Sequence, residues 1–183
     1  EGLLNAWPCD ESYIDYVEGN TTSGIINDLT NFPTITKDIL DGLNEEGGEE
    51  NVSVGYHAIE FLLWGQDDAN TSTLEAGNRP YTDYTTAANA DRRKSYLGYT
   101  SDLLVDHLQT LVDEWDANKT GNYRATFIAL DNDVALKNMM SGMGILSKSE
   151  LAGERIFTAL DNQNQEDEHS CFSDNTHRDI ILN

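Results

Sequence analysis

The chain has 183 residues, with 11 Lys and Arg against 33 Asp and Glu and a formal net charge of −22. A surface of that sign repels phosphate backbones and anionic lipid, which argues against a nucleic-acid or membrane-surface partner, and it attracts cations. A solvated, salt-adapted surface accounts for the same charge, so charge alone does not define a metal protein.

Helical periodicity recurs along the chain and sustained strand alternation does not. Asp10 to Val17, after Pro8, reads as a short helix. Thr34 to Leu43 reads as another, with Ile35, Ile39, Leu40 and Leu43 on one side, and Asn44 to Gly48 ends it. Val52 to Trp64 is apolar nearly all round and is expected to be a buried helix stopped by Gly65. Gln66 to Tyr84 reads as a long irregular loop, of the kind that often carries function. The clearest helix runs from about Asn89 to Trp115, with Tyr96, Thr100, Leu103, Leu104, His107, Leu108 and Leu111 at three- and four-residue steps.

Asp116 to Asn122 is the best break, and Asp133 to Leu160 is expected to be a further long helix. The small residues Ser141, Gly142, Gly144, Ala152 and Gly153 in that helix imply close packing or a kink. The tail from Asn162 to His177 is polar and irregular. These elements define an all-α helical bundle class, with one bundle region in residues 1–118 and the start of a second in 119–183. No run of 18 apolar residues is present, so no membrane span is expected. The chain opens inside an apolar segment without an initiator Met and stops abruptly at Ile181-Leu182-Asn183, as a piece of a longer protein would.

The residues with chemistry in them centre on Gly55-Tyr56-His57-Ala58-Ile59-Glu60. His57 and Glu60 are one helical turn apart and share a face. Imidazole and carboxylate are good ligands for zinc and iron. A carboxylate buried without a partner is costly, so Glu60 needs a cation, a donor or a proton. A bound metal would supply the first; a His–Glu hydrogen bond in a core would supply the second. Two residues are half a site, because open metal sites take about three protein ligands and closed ones about four. The zinc-peptidase pattern His-Glu-x-x-His is not met, since Ala58 and Phe61 stand where the base and the second His belong.

A second cluster, Glu166 to His177, packs four acids and two His into twelve residues. Glu166, Asp167, His169, Asp174 and His177 are candidate further ligands, and a solvated acidic loop is the plain alternative. His107, on the apolar stripe of a long helix, reads as a satisfied core histidine. Glu150, Glu154 and Arg155 form an ion pair or face a ligand; the sequence leaves both open. Tyr56 and Trp64 are expected to shape the pocket around His57. Cys9 and Cys171 are the two cysteines. A disulfide between them would close a loop of about 160 residues and is worth up to about 5 kcal/mol; two buried thiols are the alternative.

Gly55-x-His57-x-x-Glu60 within Gly-Tyr-His-Ala-Ile-Glu-Phe-Leu-Leu-Trp-Gly-Gln-Asp resembles the imelysin-like family. Leu4-Asn5-Ala6-Trp7-Pro8, Asn78-Arg79-Pro80-Tyr81, Glu150 to Arg155 and Glu166 to Arg178 agree, and look most like the branch called iron-regulated protein A. The resemblance covers essentially the whole chain. It implies a two-domain, all-α architecture in a longer protein, with helices before Glu1 and after Asn183. It implies export to the periplasm or the outer surface, with a lipid anchor on the precursor as one route. It implies a role in iron acquisition and a functional site holding His57 and Glu60. The expected cargo is a metal ion, iron first and zinc second, or an iron chelate, received from or passed to a periplasmic or outer-membrane uptake component. Some family members are described as insulin-cleaving metallopeptidases, which makes a zinc peptidase the alternative function.

Overall fold

The computed structural model describes residues 2–6, 9–66, 79–157 and 160–161, without the side chains of Glu150, Glu154 and Arg155. Its elements, in order, are the α-helices α1 (Gly2–Asn5), α2 (Glu11–Ile14), α3 (Lys37–Leu43) and α4 (Gly55–Trp64), a 3-10 turn (Tyr81–Tyr84), then α5 (Ala90–Trp115), α6 (Tyr123–Ile128) and α7 (Asn132–Ile145), followed by a π-helical stretch (Leu146–Phe157). Among the described residues there is no strand beyond an isolated bridge between Val17 and Asn20. No helix among them is long and apolar enough to cross a membrane. The all-α class expected from periodicity is what the chain adopts.

Contacts form two units, one of residues up to Gln66 with 79–112, the other of residues from Asp113 on. The first holds the apolar core. Ile14, Ile25, Ile26, Leu40, Val54, Ala58, Phe61, Leu62 and Tyr96 are buried together, with Cys9 and Tyr13 packed at the edge. In the second, Trp115, Tyr123 and Phe127 cluster, with the Trp115 and Tyr123 rings edge to face at 5.2 Å. Asn122 caps α6, its side chain accepting from the Ala125 N–H and donating to the carbonyls of Asp113 and Asp116. That short helix was not expected from the sequence.

Local chemistry fixes most boundaries, and several differ from expectation. The helix expected over Asp10 to Val17 lasts one turn, from a cap on Asp10 to Ile14. It stops because Asp15 goes extended (φ −148°, ψ −176°) and turns its carboxylate inward. α3 begins at Lys37 rather than Thr34, since the Thr36 hydroxyl accepts from the Ile39 N–H and caps the helix there. The helix expected over Val52 to Trp64 starts only at Gly55 and buries one face: Gly55, His57, Ala58, Phe61 and Leu62 are inside, while Tyr56, Leu63 and Trp64 are exposed. The loop expected from Gln66 to Tyr84 closes on the 3-10 turn. α5 matches its periodicity closely. The long helix expected to Leu160 changes register after Ile145 into a π-helix. Close packing does not explain its glycines, because a Cβ at Gly142 or Gly144 would meet nothing among the described residues. They lie beside the register change instead, where the α-helix gives way.

Gly55 is the one glycine of the motif that geometry demands. Its φ is +90°, and a Cβ there would sit 2.7 Å from the Leu4 carbonyl oxygen, because α1 crosses directly over the start of α4. Gly55→Ala is therefore expected to cost about 1–3 kcal/mol in urea unfolding.

Candidate functional site

α4 carries the expected pair, and both of its ends are tied down. At its start the Asn44 side chain accepts from the backbone N–H groups of Ser53 (3.0 Å) and Val54 (3.3 Å) and donates to the Gly2 carbonyl at 2.8 Å. The Ser53 hydroxyl donates to the Leu40 carbonyl at 2.7 Å, and the buried Tyr96 hydroxyl donates to the Ser53 carbonyl at 2.9 Å. Burial pushes the Tyr96 hydroxyl well above the usual tyrosine range, so it remains a donor. At the other end, Gly65 (φ +79°) returns its N–H to the Phe61 carbonyl and closes the helix.

His57 and Glu60 meet on this helix. Imidazole Nδ1 lies 2.9 Å from a Glu60 carboxylate oxygen. The His57 side chain is 5% exposed and that of Glu60 33%, so the ring is inside and the carboxylate reaches toward solvent. Trp64, two turns beyond His57, shares their stripe; Tyr56 lies off it, and both are exposed. No group of three or more His, Cys, Asp or Glu side chains converges among the described residues. The expected further ligands Glu166, Asp167, His169, Asp174 and His177 lie outside the described residues, as does Cys171 of the expected disulfide with Cys9. So do the side chains of Glu154 and Arg155. His107 sits on α5 with Nε2 3.0 Å from Asp41 of α3, a partnered histidine at the edge of the core. An open cleft of about 510 Å³, lined by Ser12, Tyr13, Ser23, Gly24, Asn27 and Phe32 among others, contains none of the expected site residues.

The sequence reading missed the largest polar feature of the first unit. Beneath the far end of α4, two arginines and two aspartates are buried together. Arg79 Nη1 lies 2.8 Å from Asp15 Oδ2 and 3.0 Å from Asp83 Oδ2. Arg93 grips Asp15 with two donors, Nε at 2.6 Å and Nη2 at 3.0 Å, and its Nη1 donates to the Asp83 carbonyl at 2.8 Å. No side chain of the four is more than 6% exposed. The Asn27 amide donates to Asp15 at 3.0 Å and accepts in turn from Asn89 at 2.9 Å. Tyr16 donates to Asp83 at 2.6 Å. The Arg79 guanidinium lies between two rings, 4.8 Å from the centroid of Phe61 and 5.2 Å from that of Tyr16.

The charges in this group balance, which is how four ions tolerate burial. Burial alone would weaken the Arg93 charge, but the hydrogen bonds and charge of Asp15, with Asp83 behind, hold its proton more firmly than usual. Tyr16 is pushed up to about 12, by burial first and then by its bond to Asp83 and the charge there. Tyr84, which donates to the Leu62 carbonyl, is pushed up to about 12 by burial. Spacing could have flagged these residues only weakly, because Asp15 meets its arginines across 64 and 78 residues of chain.

The geometry thus defines an all-α protein whose buried His-x-x-Glu pair rides a helix fastened at both ends. The imelysin family model matches residues 1–183, and the chain belongs to the imelysin family. A comparison with curated proteins gives no match.

Two outcomes follow from the buried group. Asp15→Ala strands two buried guanidinium groups and is expected to cost about 3–5 kcal/mol in chemical unfolding. Tyr16 titrates near 10 in an unfolded chain and near 12 in the folded one, so its contribution is complete below pH 10 and drains as pH rises toward 12. A stability profile over that range should fall less steeply for Tyr16→Phe than for the parent.

Proposed function

We propose that this chain is an exported metal-binding protein of bacterial iron acquisition, resembling the iron-regulated protein A branch of its family, with its site founded on His57 and Glu60. The observation that carries the reading is a buried imidazole whose Nδ1 faces a carboxylate at 2.9 Å, within the Gly-x-His-x-x-Glu segment. Metal-binding histidines commonly present one ring nitrogen to the ion while a carboxylate holds the other, fixing tautomer and ring orientation. In this reading Nε2 takes the metal, and Glu60 steadies the ring and lowers the cost of placing a cation beside it.

The pair fits iron or zinc in the kind of its donors and supplies fewer than the three or four ligands a full site needs. The proposal takes the remainder from the acids and histidines of 166–177, with the exposed Trp64 and Tyr56 on the approach. Iron is here the cargo rather than a tool of catalysis, held as an ion or as a chelate. The net charge of −22 favours the arrival of a cation, and the export and the uptake partner follow from the family reading. Hydrolysis is not part of it: Ala58, fully buried, fills the position where a zinc peptidase of the His-Glu-x-x-His type keeps its base.

Calorimetry with Fe²⁺ under anaerobic conditions and with Zn²⁺, backed by elemental analysis, tests the reading. The parent should bind metal in a fixed ratio, His57→Ala should lose that binding, and Glu60→Gln should weaken it by about 10- to 100-fold. Unchanged stoichiometry in His57→Ala would dispose of the site.

A further inference from the structure

We infer that Arg79 is a positioning residue for the His57–Glu60 pair, acting through the last turn of α4; the inference rests on the reading of that pair as the working site. The end of a helix leaves carbonyls that need donors. In α4 those donors come from one short segment. The Arg79 backbone N–H donates to the Trp64 carbonyl at 3.1 Å, Arg79 Nε donates to the Phe61 carbonyl at 3.3 Å, and the Tyr84 hydroxyl donates to the Leu62 carbonyl. Gly65 lets the chain pass close beneath, since a Cβ there would lie 3.3 Å from Arg79 Cβ.

The guanidinium also covers the face of Phe61, the residue that follows Glu60 and lies one turn beyond His57. Its orientation is in turn set by Asp15 and Asp83, which are themselves held by Arg93, Asn27 and Tyr16. A rigid, charge-balanced anchor therefore ends on the turn that carries Glu60. Lysine could not replace it. An ammonium is a compact point charge that lacks the planar fork needed to reach Asp15, Asp83 and the Phe61 carbonyl together while lying flat between two rings.

The experiment compares Arg79→Lys with Arg92→Lys in the full chain. Arg92 is a fair control because it also donates to carbonyls, those of Ile25, Ile26, Phe32 and Pro33, but makes no bond to α4. Two readouts are taken on each: the imidazole NMR signals of His57, assigned with His57→Ala, and the affinity for Zn²⁺. Arg79→Lys is expected to shift or broaden the His57 signals and to weaken Zn²⁺ binding about tenfold or more, the size of effect seen when a ligand's outer partner is lost. Arg92→Lys should lower the melting temperature and leave both readouts in place. Folded Arg79→Lys with His57 signals at their parent positions overturns the inference, as does an equal response from Arg92→Lys. If Arg79→Lys does not fold, Tyr84→Phe, which removes only the bond to the Leu62 carbonyl, is read by the same His57 signals and decides in the same way. A parent that takes up no Zn²⁺ counts against the metal reading, while the imidazole signals still decide the role of Arg79.

Discussion

Asp15 is the point on which the first unit turns. Its carboxylate receives Arg79, Arg93 and Asn27, and its side chain is wholly buried. These partners come from the segment after α4, from α5 and from the loop after α2. One short acidic side chain thus fixes three stretches of chain against one another. It also explains why α2 is a single turn: continuing the helix would swing the carboxylate away from both arginines. The local cost is a broken helix in a sequence that could have continued it. The return is a set of distances that only one arrangement of the chain satisfies.

An apolar filling of the same volume could be as stable, since desolvating four ions consumes much of what their attraction returns. What it could not do is fix α4 along its axis. The apolar face of that helix, Ala58, Phe61 and Leu62, would tolerate a small slide or roll against the core. Hydrogen bonds do not tolerate it. Asn44, Ser53 and Tyr96 hold the start of the helix, while Arg79 and Tyr84 hold the end. His57 and Glu60 lie between these two sets of polar anchors. A site that must keep an imidazole and a carboxylate within a few tenths of an ångström benefits more from such directional bonds than from further burial.

What could be seen in the sequence follows from how far each interaction reaches. α5 was legible almost to the residue because 26 residues at helical spacing repeat one signal many times. The His57–Glu60 pair was legible because its geometry is set within one turn. The glycine before it was legible as a motif letter, but its cause, the Leu4 carbonyl lying over it, was not. Arg79, Asp83 and Arg93 gave no local sign, since their partners are distant in sequence; Arg93 looked like one more polar residue off the stripe of α5. The short α2 and the late start of α4 were misjudged for the same reason, because tertiary bonds override local propensity there. The π-helical stretch has helical spacing too, and periodicity cannot separate one helical register from another over so few turns.

The electrostatics of the chain then fall into two parts that do different work. Asp15, Asp83, Arg79 and Arg93 cancel, so burying them removes no net charge, and the whole excess of −22 resides on the remaining groups. The interior charges act at contact distance, where water is excluded and salt screens little, and so they can hold geometry across a range of ionic strengths. The exterior charges act over about 10 Å at ordinary salt and cannot hold geometry, but they raise the local concentration of cations near the surface. Glu60 stands where the two regimes meet, one third exposed and in contact with a buried ring. A cation drawn by the outer field reaches, at that residue, the only kind of charge in the unit whose position is already fixed by the inner one.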